Sequence, residues 1–155
     1  MKQNNDDNSS LITIVGSKMA IKGLKFNFIG ALDACKDCKL YQICMTNLEP
    51  NRLYEVIEVR KIEHKCLIHD NGAKTVVVKE PPQDLMVKSR FAIEGVILTL
   101  QSPGADCPEI DCEHWDLCNN GLVRSGDRVR IIKKNNPVTC LLGKQLSLVL
   151  ASRVQ

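Results

Sequence analysis

Alternating apolar and polar residues mark several segments of the chain as half-buried β-strands. The alternation is clearest in Leu24–Ile29, Leu53–Arg60 and Asp127–Ile132. Shorter apolar runs complete the predicted strands, at Leu11–Val15, Thr75–Glu80, Leu85–Val87, Val96–Leu100 and Leu146–Ala151. Helix is expected only as single turns, near Ser17–Ile21, Cys38–Cys44, Ser89–Ile93 and Cys112–Cys118. The pattern predicts a mainly β fold with short helical segments, of the α+β class, with four short strands in each half.

The second half of the chain repeats the first. A shift of 72 residues places Ile12–Phe28 on Asp84–Leu100. Identical residues then coincide, with Val15, Ser17, Ala20, Ile21 and Gly23 falling on Val87, Ser89, Ala92, Ile93 and Gly95. After a two-residue insertion the shift becomes 74, which pairs Tyr41 with Trp115, Leu48 with Leu122, and Ile57 with Ile131. The sequence therefore predicts a tandem duplication of a four-stranded, four-cysteine unit with pseudo-two-fold symmetry.

All eight cysteines follow this repeat. The first half reads C-x2-C-x5-C-x21-C and the second reads C-x4-C-x5-C-x21-C. The resulting pairs are Cys35 with Cys107, Cys38 with Cys112, Cys44 with Cys118, and Cys66 with Cys140. Cysteines placed only for packing would not form two matching quartets, so we interpret each quartet as one site. The spacing leaves open whether Cys66 closes the site of its own half, and we assume that it does.

The predicted organisation is a tail followed by two repeats. Residues 1–10 are polar and are expected to form a disordered tail, residues 11–80 form the first cysteine-cluster repeat, and residues 81–155 form the second. The boundary falls at Pro81 and Pro82, because consecutive prolines cannot continue a strand ladder. Each repeat is short for a stable core, so we expect a metal in each and packing of the two into one globule.

Composition and charge narrow the function. The chain has 21 basic and 18 acidic residues, for a net charge of +3, spread evenly over both halves. A dedicated nucleic-acid or membrane-surface binder would carry a larger excess. The polar first residues do not resemble a signal peptide, and no run approaches the roughly 18 apolar residues of a membrane helix. We therefore expect a cytoplasmic protein without a membrane partner, whose reduced thiols bind metal or do redox chemistry.

Four thiolates can hold either an iron–sulfur cluster or a zinc ion. Zinc sites usually combine two short Cys pairs, whereas each quartet here has three closely spaced cysteines and one remote cysteine, the commoner iron–sulfur layout. We predict one [4Fe–4S] cluster in each half, with two Zn²⁺ ions as the alternative and disulfides or metal-free thiols as a third interpretation. The bulky Tyr41 and Trp115 would shield the clusters from solvent.

The histidines are assigned smaller roles. His64 and His69 flank Cys66 and are candidates to donate a hydrogen bond to a cluster sulfur. Neither is expected to be a primary ligand, because the second half has no histidine near Cys140. His114 is expected to be exposed.

The predicted function is electron transfer or redox sensing with an unknown redox or protein partner. The alternative, from another class, is a zinc-stabilised binding module that docks nucleic acid or a protein through Arg128–Lys134 or Arg52–Lys61. Within the first of these ranges, Arg128, Arg130, Lys133 and Lys134 would form a basic strip. No phosphate-binding loop, catalytic triad or paired carboxylates are found, so the chain is not expected to be an enzyme by itself.

The chain resembles an uncharacterised archaeal protein family with two cysteine clusters. The matching stretches are Gly30–Cys44 (GALDACKDCKLYQIC), Leu53–Arg60 with His64–Cys66 and His69, Ser89-Arg90 with Ala92–Gly95, Asp111–Cys118, and Gly126 with Asp127. The resemblance covers essentially the whole chain after the tail. It implies an archaeal, cytoplasmic origin and clusters that are conjectured to be iron–sulfur redox centres. It implies no activity.

Overall fold

The chain divides into two compact units. The computed structural model describes residues 10–30, 38–39, 41–43, 47–65 and 72–154. One unit spans Met1–Pro81 and the other spans Pro82–Gln155, so the division falls between the two consecutive prolines. No helix in the described part of the chain is long and apolar enough to cross a membrane.

Each unit contains a four-stranded antiparallel sheet with the same strand order. The first sheet consists of β1 (Leu11–Gly16), β2 (Lys25–Phe28), β3 (Arg52–His64) and β4 (Ala73–Lys79), in the order β1-β4-β3-β2. The second consists of β5 (Gln83–Lys88), β6 (Ile97–Thr99), β7 (Arg128–Thr139) and β8 (Gln145–Val154), in the order β5-β8-β7-β6. Short helices in the described part of the chain include 3-10 turns at Ser17–Met19 and Ser89–Phe91, and the helix α1 at Trp115–Cys118. The prediction of a mainly β fold with two four-stranded units is confirmed.

Equivalent backbone hydrogen bonds show that the two sheets follow one design. The N–H of Gly23 donates to the carbonyl of Val56 at 2.7 Å, and the N–H of Gly95 donates to the carbonyl of Ile131 at 2.7 Å. Both glycines have a positive φ, 91° and 84°, which favours glycine because it has no Cβ. The duplication read from the sequence is thus present in the backbone geometry.

The turns before β3 and β7 are also equivalent. The N–H of Asn51 donates to the carbonyl of Phe28 at 2.6 Å, and the N–H of Gly126 donates to the carbonyl of Leu100 at 2.9 Å. Asn51 has φ 62° and Gly126 has φ 95°, a left-handed conformation that these two residue types adopt most readily. The same turn therefore starts the long central strand of each sheet.

One part of the predicted alignment is wrong by a single residue. The sequence paired Ile57 with Ile131, whereas the structure places Val56 in the position of Ile131. Both Val56 and Ile131 are fully buried, and each accepts the hydrogen bond from the corresponding glycine. Since side chains alternate between the faces of a strand, this difference decides which residues enter the core.

The predicted pairing of Leu48 with Leu122 fails in the same way. Leu48 is buried in the first core, and the buried residue of the second core in this region is Val123. Leu122 is only half-buried. The second unit therefore has one more residue than the sequence alignment allowed between its cysteine loop and β7.

Each sheet packs one face against its own apolar core. The first core contains Val15, Phe28, Leu48, Tyr54, Val56, Val76 and Val78. The second contains Leu85, Val87, Ala92, Leu100, Val123, Val129, Ile131, Val149 and Ala151. Aliphatic side chains dominate both, as the low aromatic content of 4% requires.

The central strands are longer than predicted. β7 continues beyond Ile132 to Thr139, although it contains Pro137. The neighbouring β6 pairs only with Arg128–Arg130, so the proline interrupts no ladder with β6. On its other side Pro137 follows a bulge and lies opposite Ser147 of β8. The extension carries the chain to Cys140, which places the fourth cysteine at the end of the strand.

Candidate metal centre

Three cysteines of the second quartet lie on the loop between β6 and β7. Short-range backbone hydrogen bonds fold this loop, and they join Cys107 N–H to Gly104 C=O at 3.2 Å, Cys112 N–H to Glu109 C=O at 3.0 Å, and Cys118 N–H to His114 C=O at 3.0 Å. The fourth cysteine, Cys140, follows β7 directly. It lies in a turn closed by the N–H of Gly143, which donates to the carbonyl of Cys140 at 3.0 Å. Two separate segments of the unit thus supply the four thiols.

Gly104 allows the two ends of the cysteine loop to meet. Its N–H donates to the carbonyl of Cys118 at 3.3 Å. A Cβ at this position would overlap the side-chain amide of Asn119. That amide is itself held by a hydrogen bond to the carbonyl of Trp115 at 3.2 Å. The loop therefore closes around a position where only glycine fits without displacement.

All four cysteines of the second quartet line one pocket. The sheet contributes Met86, Val138 and Leu146 to the same pocket. Val138 lies opposite Leu146 of β8, and Met86 lies opposite Leu148, two residues further along the same strand. Because residues two apart on a strand point to the same face, the side chains of Met86, Val138 and Leu146 share one face of the sheet. This face is opposite to the one that carries the core. The cysteine loop therefore covers the outer face of the second sheet.

The thiols of this pocket are free and influence one another. The described cysteines without a disulfide are Cys38, Cys107, Cys112, Cys118 and Cys140. Burial raises the pKa of the Cys118 thiol, and the neighbouring Cys112, Cys140 and Cys107 raise that pKa further. The positive charge of Lys144 acts on the same pKa in the opposite direction. Converting all four thiols to thiolates would thus require a compensating positive charge.

The described side chains do not form a finished single-ion site. Among them, no group of three or more His, Cys, Asp and Glu residues is arranged so that it could hold a metal ion. A zinc ion with bonds of about 2.3 Å would bring its four sulfurs to about 3.8 Å from one another. The pocket encloses about 30 Å³, the space of one or two water molecules. A bound metal group would therefore require the thiols to turn inward or the loop to move.

His114 is less exposed than the sequence predicted. Its side chain is only 26% exposed and lines the pocket, with Nε2 at 3.2 Å from Oε1 of Glu113. Its backbone N–H donates to Sγ of Cys112 at 3.5 Å. Such N–H···S bonds stabilise a thiolate and orient it. Trp115 also lines the pocket and is half-buried, in a position from which it would shield a bound group.

Most of the first quartet lies outside the described residues. This applies to Cys35, Cys44 and Cys66, and to the candidate His69. For Cys38 the structure gives a turn in which the N–H of Tyr41 donates to the carbonyl of Cys38 at 3.1 Å. The N–H of Trp115 donates to the carbonyl of Cys112 at 3.0 Å. The two cysteine loops thus share a turn at the positions that the sequence aligned.

His64 lies on the face of the first sheet that corresponds to the pocket floor of the second. It is opposite Ala73, as Val138 is opposite Leu146. Its Nε2 is 2.9 Å from Oγ1 of Thr75. Its position therefore corresponds to that of a pocket-lining residue in the second unit.

The basic residues of the alternative function have different surroundings. Arg52 is only 4% exposed, and its Nη2 lies 3.1 Å from Oε1 of Glu49. It therefore stabilises the turn before β3 and is not part of an exposed docking face. Arg128, Lys133 and Lys134 are exposed, while Arg130 is half-buried. A nucleic-acid contact along this strip stays a prediction.

Sequence reasoning did not identify the wall of the pocket. Met86, Val138 and Leu146 look like ordinary strand residues, and only the cross-strand register shows that they face the cysteines. Lys144 also lines the pocket. Its closeness in sequence to Cys140 and to the turn that begins there gives only a weak indication of this position.

Fold and site together define a class of protein: duplicated β-sheet units with a cysteine-lined pocket on the outer face of at least one sheet. The chain belongs to the uncharacterised protein family UPF0179, whose family model matches residues 11–151. The UPF0179 protein of Methanocaldococcus jannaschii is 34% identical over 147 residues, which are 94% of this chain and 96% of the relative. The UPF0179 protein of Pyrococcus abyssi is 41% identical over 143 residues, which are 92% and 97% of the two chains. The resemblance read from the sequence is thereby confirmed. No solved structure matches the chain.

Proposed function

We propose that the chain is a small metal-cluster protein with two four-cysteine centres that serve electron transfer or redox sensing. The first centre would be held by Cys35, Cys38, Cys44 and Cys66, and the second by Cys107, Cys112, Cys118 and Cys140. Each would bind a [4Fe–4S] cluster. The observation that carries the proposal is the meeting of all four cysteines of the second quartet at one pocket.

This meeting of thiols supports an inorganic guest. Chain segments far apart in sequence place four free thiols around one pocket on the outer face of a sheet, where they are not needed to fill the core. The arrangement raises the pKa of Cys118, so in the metal-free protein this thiol stays protonated at neutral pH. A metal group would release these protons and supply the positive charge that four thiolates need.

The cysteine spacing favours a cluster over zinc. Each quartet has three closely spaced cysteines and one remote cysteine, the commoner iron–sulfur layout, whereas structural zinc sites usually combine two short Cys pairs.

The proposal extends to the first half through the duplication. The sheet, the turn before the central strand and the turn at Cys38 recur in both units. Two such centres fit a protein that takes up single electrons from a reduced partner and passes them to an oxidised one. The chain's own residues would bind the clusters, donate an N–H to Cys112 and exclude water through Trp115. The reducing cytoplasm is the compartment that keeps these thiols free.

Metal analysis of anaerobically purified full-length protein tests the proposal. We expect a brown protein with about eight irons and eight sulfides per chain, four of each per cluster. Cys118→Ser should lose about half of both. Cys38→Ser is the matched control in the other unit and should lose the other half, so that the double variant is colourless. A colourless wild-type protein with two zinc ions would instead support the binding-module alternative.

A further inference from the structure

Another cavity lies on the core side of the second sheet and shares no lining residue with the cysteine-lined pocket. It has a volume of about 210 Å³. Val87 belongs to the second core and Leu98 packs against it, and together they form the apolar floor of the cavity. The described residues that line it are Val87, Lys88, Phe91, Leu98, Thr99 and Gln101. A cavity of about 150 Å³ holds a benzene molecule, so this one has room for a substituted aromatic ring.

Both edge strands of the second sheet reach this cavity. β5 contributes Val87 and Lys88 and β6 contributes Leu98 and Thr99, although these strands lie at opposite ends of the order β5-β8-β7-β6. The sheet therefore curls until its two edges approach one another, and the cavity opens between them. Lys88 and Thr99 are exposed, as is Gln101 beyond the end of β6. The entrance is thus polar while the floor is apolar, as in pockets that bind small molecules.

The first unit has two aromatic rings where the second has aliphatic side chains beside the cavity. Phe26 of β2 lies opposite Tyr54 of β3, and Leu98 of β6 lies opposite Val129 of β7. These are equivalent pairs of the repeat, with Phe26 falling on Leu98 and Tyr54 on Val129. The Phe26 and Tyr54 rings pack with their centroids 6.1 Å apart. Since both side chains of the second pair are smaller, the ring volume of the first unit is missing from the second.

Phe91 does not fill this space. Its counterpart in the first unit is Met19, which packs against the first core. Phe91 instead stays at the wall of the cavity with 40% of its surface exposed. The guanidinium carbon of Arg90 lies 4.6 Å from the centroid of the Phe91 ring, a cation–π contact that stabilises the ring at the surface. The aromatic side chain of Phe91 therefore borders the cavity and leaves it open to a guest.

The entrance of the cavity is positively charged. Lys88 is the one charged residue among the described residues that line it, and Arg90 lies against the neighbouring Phe91 ring. The first unit has Gly16 at the position of Lys88, so this lysine belongs to the unit that has the cavity and not to the shared scaffold. A cation beside an apolar floor favours a guest with a ring at one end and an anionic group at the other.

We propose that this cavity binds a small molecule that carries an aromatic ring and a carboxylate. The ring takes the place that the Phe26 and Tyr54 rings have in the first unit. The carboxylate lies at the entrance, where Lys88 pairs with it and the side chains of Thr99 and Gln101 donate hydrogen bonds. This site goes beyond the proposed function, and it requires no metal in either unit.

Phenylacetate is the probe, and the measurement is a titration of the full-length chain followed by amide chemical shifts. We expect saturable shifts at Val87, Leu98 and Thr99, with a dissociation constant of about 1 mM or tighter. 2-Phenylethanol, which has the ring without the charge, should bind about two- to fivefold more weakly, the usual contribution of an exposed ion pair. Acetate, which has the charge without the ring, should produce no saturable shift. If phenylacetate produces none, or shifts another region of the chain, the proposal is wrong.

Leu98→Phe tests the place of the ring, because it introduces the residue that the first unit has at this position. The larger side chain should fill the cavity and weaken phenylacetate binding at least about tenfold. Phe26→Leu is the matched change in the first unit and should leave the binding unchanged. Equal affinity of the wild type and a folded Leu98→Phe variant would overturn the proposed location.

Lys88→Met tests the charge and does not alter the floor of the cavity. It should bind phenylacetate only as tightly as the wild type binds 2-phenylethanol, while its own affinity for 2-phenylethanol stays the same. Lys133→Met is the control, because Lys133 is exposed on β7 and does not line the cavity. Both lysines are exposed, so both variants are expected to fold. Equal affinities of the wild type and Lys88→Met for phenylacetate would show that the anionic group is wrongly assigned.

Discussion

The two units share a backbone design but differ on the sheet face that carries the cysteine-lined pocket in the second unit. In the second unit the cross-strand pairs on this face are Met86 with Leu148 and Val138 with Leu146. The corresponding pairs in the first unit are Ile14 with Thr75 and His64 with Ala73. An apolar surface in one copy therefore corresponds, in the other, to a surface with a hydrogen-bonded His64–Thr75 pair at 2.9 Å.

The two copies therefore kept the same scaffold while this face of the sheet diverged in sequence. Polar donors near a cluster raise its reduction potential, whereas an apolar surrounding and nearby negative charge lower it. The cysteine loop of the second unit has five carboxylates and no lysine or arginine, while residues 30–49 of the first unit have three carboxylates and two lysines. For the proposed iron–sulfur centres this difference predicts unequal potentials, the first being higher.

The largest effect is expected from truncating buried core residues at equivalent positions of the two units. This pair of variants tests whether each unit is stable independently of the other. Ile131→Ala should lower the free energy of unfolding of the second unit by about 2–5 kcal/mol. Val56→Ala, in the equivalent position, removes fewer carbons and should cost the first unit less. The single tryptophan, Trp115, reports on the second unit, and Tyr41 and Tyr54 report on the first.

The measurement is denaturant unfolding of the metal-free protein, followed by the tryptophan signal for the second unit and by the tyrosine signal for the first. Ile131→Ala should move the tryptophan transition to lower denaturant and leave the tyrosine transition in place, and Val56→Ala should do the reverse. Movement of both transitions in either variant would mean that the two units unfold as one.

A smaller effect is expected from filling the space at Gly104. Gly104→Ala would press a methyl group into the Asn119 amide, and such overpacking costs about 1–3 kcal/mol. The cysteine loop would then close less well, so the second centre should lose metal to a chelator faster. Gly121→Ala is the matched control, since no atom lies within 4 Å of a Cβ at that position. Equal metal retention in the two variants would contradict the role of Gly104 in closing the loop.

Local patterning predicted the strands well but not their register. Alternation identified the start of β3 and β7, yet it could not show that Val56, rather than Ile57, corresponds to Ile131. The second unit has one more residue before β7 than the first has before β3, and a bulge that is one residue shorter within β7 offsets it. β3 has three residues between the paired positions Val59 and Glu63, whereas β7 has two between Lys134 and Pro137. The alignment is therefore off by one at the start of these strands and correct again where they end.

The sequence predicts the cysteine quartets because their spacing repeats, but it does not predict the residues that surround them. A spacing pattern names the thiols but does not say which strand residues lie beneath them. Met86 and Val138 reach the pocket only through pairing across β5, β8 and β7, which is a long-range property of the sheet. The exposure predicted for His114 was wrong because the folding of the loop turns this polar residue toward the pocket.

A modest effect is expected from exchanging the side chains at His64 and Val138, the equivalent positions of the two units. His64→Val should lower the potential of the first centre toward that of the second. Loss of the hydrogen bond to Thr75 should also cost about 0.5–1.5 kcal/mol. The measurement is a potentiometric titration of the reconstituted protein, with Val138→His as the reciprocal variant expected to raise the potential of the second centre. Thr75→Val is the control that removes the same hydrogen bond but keeps the imidazole. Unchanged potentials in both histidine variants would show that the sheet face does not tune the centres.

The smallest effect concerns pH and is specific to the second unit. The pKa of Cys118 is raised by burial and by Cys112, Cys140 and Cys107, so in the metal-free protein the folded state keeps a proton that the unfolded chain has already lost. A raised acid pKa contributes stability below the unfolded pKa, and this contribution is lost as the pH rises through the folded pKa.

The tryptophan-detected stability of the metal-free protein should thus fall slightly as the pH rises above the pKa of an unfolded cysteine, about 8.5. Cys118→Ser should remove this part of the decrease, and an unchanged slope in that variant would contradict the assignment. With metal bound the direction reverses, because protons compete with the metal for the thiolates and retention weakens as the pH falls.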